Sequence, residues 1–245
     1  MLCKNIGFSV FDEITMCLRL ASSLRRKHDL LPSFIEKSTK CNETNHVPSG
    51  IKVWPDFVTE AEEMTLMKEI DRKWRRLKYQ QNHWDNAIQN YRELELSRWS
   101  SVSASILETV RGSAFKNDDR LKNLTHVLDL HEDGVITAHV DSTRFCGRAL
   151  AGLCLLSPCV MKFTKVAEPD VWYKVLLSRR CLYLMEDDAR YDYSHQILHN
   201  KESYFNGQFI HKSRRVSVIT RTEPDENNCN NDPARIFKST VVSLD

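Results

Sequence analysis

The chain has 245 residues, 41% of them hydrophobic, with 35 basic and 33 acidic side chains and a net charge of +2. That length suits one domain with polar ends, and the apolar share is ample for a packed core. The balanced charge gives no bulk pull toward nucleic acid or an anionic membrane, though a local patch can hide in a balanced total, and no apolar run reaches the length of a membrane span.

Residues 1–47 read as a mitochondrial transit peptide and linker. Leu18, Arg19, Leu20, Leu24, Arg25, Arg26 and Lys27, with Ser22 and Ser23 among them, make a basic, leucine-bearing stretch of the amphipathic kind. Asp12 and Glu13 count against that reading, since such peptides avoid acids. Ser38 to Gly50 is polar and turn-rich, as linkers are. The folded domain is expected over residues 48–222, and residues 223–245, opening with Glu-Pro-Asp-Glu-Asn-Asn, read as a solvated tail.

Trp54-Pro-Asp-Phe57 leads into the domain. Thr59 precedes Glu62 by three residues, the signature of a capping box, and Met67, Ile70, Trp74 and Leu77 follow at helical spacing. Arg72, Lys73, Arg75 and Arg76 cover the other sides as a solvated face. A second helix is expected after Ser101, with Val102, Ile106 and Val110 on one side. From Thr125 the pattern turns to strands: Val127 to Leu130, Val135 to Asp141 after Gly134, Ala149 to Leu156, Val160 to Phe163, Val171 to Leu177, Cys181 to Met185, and Arg215 to Arg221. Many short strands preceded by two helices predict a mainly β, α+β domain, a jelly roll with helices braced on one side. The cysteines, Cys3, Cys17, Cys41, Cys146, Cys154, Cys159, Cys181 and Cys229, show no CxxC pair or disulfide-framework spacing. They read as reduced thiols acting as small core residues in a reducing intracellular compartment.

Side chains alternate faces along a strand, so Val135, Thr137, His139 and Asp141 should point one way and Ile136, Ala138 and Val140 the other. An imidazole and a carboxylate two residues apart then reach one point. Three ligands on one face of a metal leave positions for a bidentate 2-oxoacid and O2, and His195 is a suitable third ligand. The spacing alone is weak, because His83-Trp-Asp85 repeats it in a polar segment and reads as a structural or recognition element. Arg215, Ser217, Ile219 and Arg221 share one strand face, opposite Val216, Val218 and Thr220. An inward arginine is costly unless an anion pairs with it, and a guanidinium grips a carboxylate through two parallel hydrogen bonds. Exposed edge-strand arginines are the alternative.

The pattern His139-Val-Asp141, His195, then Arg215 with Arg221, resembles the AlkB family, and within it a mitochondrial branch. The carrying segments are His83-Trp-Asp-Asn-Ala-Ile, Ser97-Arg-Trp-Ser, His126-Val-Leu-Asp-Leu, His139-Val-Asp-Ser, Phe145-Cys-Gly, Ala151-Gly-Leu, Leu156-Ser-Pro, Ala189-Arg-Tyr-Asp-Tyr-Ser-His195 and Arg214-Arg-Val-Ser-Val-Ile. The resemblance, from about Trp54 to Arg221, implies a double-stranded β-helix with iron(II) held by His139, Asp141 and His195. It implies that Arg215 binds the distal carboxylate of 2-oxoglutarate, that Tyr183 hydrogen-bonds this co-substrate and that Arg221 lies close to it. The implied reaction consumes O2, converts 2-oxoglutarate to succinate and CO2, and hydroxylates a primary substrate. Leu128, Leu130 and Ser217 depart from the Asn, Tyr and Asn that nucleic-acid demethylases of the family carry, and the branch lacks their nucleotide-recognition lid. The resemblance therefore implies a monomeric matrix enzyme acting on a protein side chain, in a branch associated with programmed necrosis and fatty acid metabolism. Demethylation of N-methylated RNA bases is the second reading, with Trp84, Trp99, Tyr91, Arg98 and Arg144 as candidates for contact with RNA. A non-catalytic interaction protein is the third; a broken triad or a lost Arg215 would mark it, and neither is seen.

Overall fold

A computed structural model describes residues 32–38, 48, 50–83 and 87–225. The basic stretch from Leu18 to Lys27, most of the linker and tail, Trp84-Asp85, and Cys3, Cys17, Cys41 and Cys229 lie outside the described residues, whereas Ile35–Lys37, within the segment 1–47 read as transit peptide and linker, form a strand paired with the main sheet. The strands, in chain order, are β1 (Ile35–Lys37), β2 (Ile51–Trp54), β3 (Gln80–Asn82), β4 (Ile88–Leu96), β5 (Thr125–His139), β6 (Ala149–Leu155), β7 (Cys159–Lys165), β8 (Trp172–Leu177), β9 (Leu182–Glu186), β10 (Tyr193–Ile197), β11 (Tyr204–Phe205), β12 (Gln208–Phe209) and β13 (Arg215–Arg221). The helices are α1 (Glu60–Lys73), α2 (Ser101–Ala114) and the short α3 (Asp187–Tyr191).

Eleven strands form one curled antiparallel sheet in the order β1-β8-β7-β10-β5-β13-β6-β9-β2, with β4 also on β5 and β3 on β4. This is the mainly β, jelly-roll architecture that the sequence predicts. The long β5 joins its two halves: the stretch from His126 to Leu130 pairs with β13, and His139 and Ile136 pair with β10. Between these stretches, Gly134 packs so tightly that a Cβ would come 2.7 Å from the Asn90 carbonyl oxygen, so no larger residue fits.

The capping box forms as expected. The Thr59 hydroxyl accepts from the Glu62 amide at 3.2 Å, and the Glu62 carboxylate accepts from the Thr59 amide at 2.7 Å. Leu66, Met67 and Ile70 bury the inner face of α1, and full burial of such a side chain stabilises by about 1.5–3 kcal/mol. Trp74 caps the helix end and is buried, whereas Leu77 lies beyond it and is exposed. On α2 the buried face is Ile106, Leu107 and Val110; Val102, expected on that face, points to solvent. The helices do not both precede the strands, since β2 comes before α1 and β3 and β4 lie between α1 and α2.

Two apolar layers result. Val127, Ala151, Leu153, Leu182, Leu184, Val216 and Val218 pack with both long helices. Leu128, Leu130, Ile136, Met161, Phe163, Tyr173, Tyr183 and Ile219 fill the space inside the curl. The predicted alternation along β13 therefore holds, with Val216 and Val218 toward the helices. Cys146, Cys154, Cys159 and Cys181 are free and buried, as reduced core thiols should be.

Candidate active site

His139 ends β5 and His195 sits in β10 directly opposite it, with ring centroids 4.3 Å apart. Simple alternation does not produce this pairing. Four residues of β5, from Ile136 to His139, face three of β10, from Ile197 to His195, so a bulge turns Ile136 and His139 to the same face. The expected opposition of Ile136 and His139 is thus wrong: Ile136 belongs to the interior layer and Thr137 is exposed. Asp141 lies just past the strand. Its carboxylate oxygens stand 3.9 Å from His139 Nε2 and 3.8 Å from His195 Nε2. One ligand atom from each of the three residues lies within 4.8 Å of the others, close enough to share an ion.

Surrounding groups fix these side chains. His139 Nδ1 lies 2.9 Å from the Thr137 carbonyl, which can only accept, so Nδ1 carries the proton and Nε2 keeps its lone pair for a metal. The buried Arg190 donates to the carbonyls of Asp141 at 2.7 Å and Cys146 at 3.1 Å, pinning the loop after β5. Burial opposes ionisation of Asp141, but His195, Arg190, His139 and Arg221 together outweigh it and hold the carboxyl below its ordinary range. Burial, aided by His139, pushes His195 down to about 3, so its imidazole is neutral. A neutral imidazole and an ionised carboxylate are the forms that bind metal.

Arg215 begins β13 and is fully buried inside the curl. Its Nε donates to Cys154 Sγ at 3.2 Å, and its Nη2 is buried without a hydrogen-bond partner among the described residues. A buried guanidinium with an unanswered donor fits an anion that comes and goes with turnover. Tyr183 crosses Gly152, where a Cβ would come 2.5 Å from the phenol oxygen, so only glycine leaves room for that ring. Burial pushes the Tyr183 hydroxyl up to about 12, keeping it a donor at neutral pH. His139, Asp141, His195, Tyr183, Arg215 and Arg221 all line one cavity of about 1100 Å³, whose rim residues Thr137, Glu95 and Phe145 are exposed. The donor set fits a ferrous ion with open positions, and Arg215 with Tyr183 fits a diacid beside it.

Sequence reading gave no role to Glu93, Glu95 and His126, which also line the cavity. The only signal was the acid–leucine alternation Glu93-Leu94-Glu95-Leu96. Of the RNA-contact candidates, Trp84 lies outside the described residues, Tyr91 is a core residue, Trp99 packs on the helical layer, and Arg98 and Arg144 are exposed, Arg144 next to the rim residue Phe145. His83 does reach the cavity, 3.7 Å from Glu93.

No family profile matches the chain. Over 173 residues it is 46% identical to the mitochondrial alpha-ketoglutarate-dependent dioxygenase alkB homolog 7 of Mus musculus, covering 71% of this chain and 78% of the relative. The Bos taurus protein of the same name gives the same identity and coverage. The solved structure of OsALKBH1 superposes with a TM-score of 0.52 at 13% identity, covering 72% of this chain and 99% of that one, a likeness of fold. With that identity spread over most of both proteins, the chain belongs to the AlkB family of iron(II)- and 2-oxoglutarate-dependent dioxygenases, on the branch of alkB homolog 7.

Proposed function

We propose that this dioxygenase works as a monomer in the mitochondrial matrix and hydroxylates a side chain of a protein substrate. In this reading His139, Asp141 and His195 bind the iron, Arg215 and Tyr183 bind 2-oxoglutarate, and Arg221 lies beside it. The bound metal and O2 supply the oxidation, by which 2-oxoglutarate becomes succinate and CO2 and a substrate carbon gains one oxygen atom. The protein's part is positioning. Arg215 grips the distal carboxylate from a buried setting where the ion pair is poorly screened. Tyr183 donates to the same molecule, and Arg190 holds the Asp141 loop in register.

The observation that carries the choice of a protein substrate is the acidic wall. Glu93 and Glu95 line the cavity that holds the triad, and a hydrogen bond from His126 is the foremost reason Glu93 stays ionised below its ordinary range. Carboxylates there repel a polyanionic nucleic acid, whose affinity comes largely from its phosphates. The location reading is supported by the mitochondrial name that both mammalian relatives bear.

The test offers iron-loaded protein and 2-oxoglutarate to peptides from mitochondrial proteins and, separately, to methylated RNA. Peptides that gain one oxygen, read by mass spectrometry, are the expected result. Methyl loss from RNA with no peptide product would replace this reading with demethylation. His139→Ala or Asp141→Ala should abolish succinate formation, and full turnover by either variant would remove that residue from the metal site.

A further inference from the structure

We infer that Glu93 and His126 form a positioning relay that aims Arg221 into the co-substrate cavity, an inference that rests on the proposed placement of Arg221 beside 2-oxoglutarate. The three residues come from three adjacent strands. On β5, His126 lies opposite Glu95 of β4 on one side and Ile219 of β13 on the other. Glu93 lies two residues before Glu95 and Arg221 two residues after Ile219, on the same face and at the diagonal spacing that long side chains bridge. His126 Nε2 is 2.9 Å from Glu93 Oε2, and His126 Nδ1 is 3.1 Å from Arg221 Nη1.

The chemistry of the ends dictates the middle. A carboxylate only accepts and a guanidinium only donates. The imidazole between them must therefore be neutral, with its proton on Nε2 toward Glu93 and its lone pair on Nδ1 toward Arg221. Burial agrees: it is the largest influence on His126 and pushes it below its ordinary value, Arg221 adds to that push, and the bond to Glu93 resists without reversing it. Glu93 thus sets the tautomer, and the tautomer sets the acceptor that Arg221 needs. Arg221 is only partly buried, and its side chain has several rotatable bonds. One N–H tied to His126 anchors the guanidinium while the rest of its fork lines the cavity.

A merely structural cross-strand contact would not care which nitrogen bears the proton, so the test reads the tautomer directly. In the metal-free full chain, ¹⁵N shifts of the His126 ring at neutral pH should report the Nε2–H form. Glu93→Gln, which keeps shape at a partly exposed position, should give a mixture of tautomers, because an amide can donate or accept. Anaerobic calorimetry on the iron-loaded protein then measures 2-oxoglutarate affinity. His126→Leu should weaken binding about tenfold, the size of one lost hydrogen bond to a charged group. His126→Gln, which presents an acceptor and a donor on neighbouring atoms, should restore most of it. Arg215→Lys serves as the reference. If it weakens binding while His126→Leu binds as tightly as the parent, the relay is wrong and the co-substrate reading stands. If neither affects binding, both are wrong. An Nδ1–H or doubly protonated His126 at neutral pH in the parent protein overturns the relay by itself, even should His126→Leu fail to fold.

Discussion

Arg214 and Arg215 are consecutive in the chain and face opposite sides of one sheet, and their surroundings could hardly differ more. Arg214 reaches Asp129 through Nε at 3.2 and 3.1 Å and through Nη2 at 2.9 Å, and reaches Asp71 at 2.8 Å. Asp129, fully buried on the helix side of β5, also accepts from Arg92 at 2.8 Å and from Tyr79 at 3.0 Å. Arg92, Arg214 and Tyr79 in that cluster each meet a carboxylate of the protein itself. On the cavity side, Arg215 is more deeply buried than Arg214, but it meets a thiol and its Nη2 has no hydrogen-bond partner among the described residues. The first arginine closes a structural network. The second is left incomplete among the described residues, which supports the proposal that its partner arrives as a ligand.

The comparison breaks most sharply at Asp129. Asp129→Ala leaves Arg92 without a carboxylate and Arg214 with Asp71 alone, and since removing one partner of a fully buried pair costs about 3–5 kcal/mol, the loss at these partly exposed arginines should reach at most that. Urea unfolding should show that loss, while folded protein keeps its 2-oxoglutarate affinity; a variant as stable as the parent would deny the cluster its structural role. Arg215→Lys should do the reverse. A point charge replaces a fork, weakening 2-oxoglutarate binding by about tenfold or more at little cost in stability. Unchanged affinity would remove Arg215 from the co-substrate site. Gly152→Ala comes next, for its Cβ would overlap the Tyr183 phenol and must push the ring aside. Overpacking of that kind costs about 1–3 kcal/mol. Co-substrate affinity should fall with it, and a retained affinity would show that Tyr183 makes no contact with 2-oxoglutarate.

Both sides of β13 were legible in the sequence because period-two alternation assigns faces without knowledge of neighbours. The capping box at Thr59 was legible for the same reason, being purely local. The bulge beside His139 was not: nothing in Ile136-Thr-Ala-His139 tells that β10 spends three residues where β5 spends four. Nor was β4, whose mixed residues are half-buried on both faces because one side meets the helical layer and the other the cavity. A strand that helps build a polar site lacks the apolar face by which strands are recognised. The proposed metal ligands and the proposed co-substrate arginine are legible through motif spacing and family resemblance. Glu93 and His126 were passed over, because their pairing exists only once three strands lie side by side.

The smallest expected effect concerns the third arginine of the comparison, Arg221, whose partner is the His126 imidazole, whereas Arg214 and Arg92 share the Asp129 carboxylate. His126 is held below its ordinary value of about 6.5, with Glu93, Glu95 and Arg221 the charged groups that face it. As pH falls below that value, the unfolded chain takes up a proton that the folded chain refuses. The unfolded state then binds more protons, so stability is lost as pH drops, at about 1.4 kcal/mol per pH unit for each such histidine until its folded-state value is reached. In metal-free protein His195, pushed to about 3, acts in the same direction, and lowered carboxylates such as Glu186 add to the loss only further into acid. His126→Gln deletes one of the two histidine contributions and keeps the hydrogen bonds to Glu93 and Arg221. Urea unfolding of the metal-free protein between pH 7 and pH 5 should therefore show a shallower fall in stability for this variant than for the parent. Parallel curves would mean that His126 takes up its proton in the folded state as readily as in the unfolded one, which is incompatible with a neutral imidazole serving as the acceptor for Arg221.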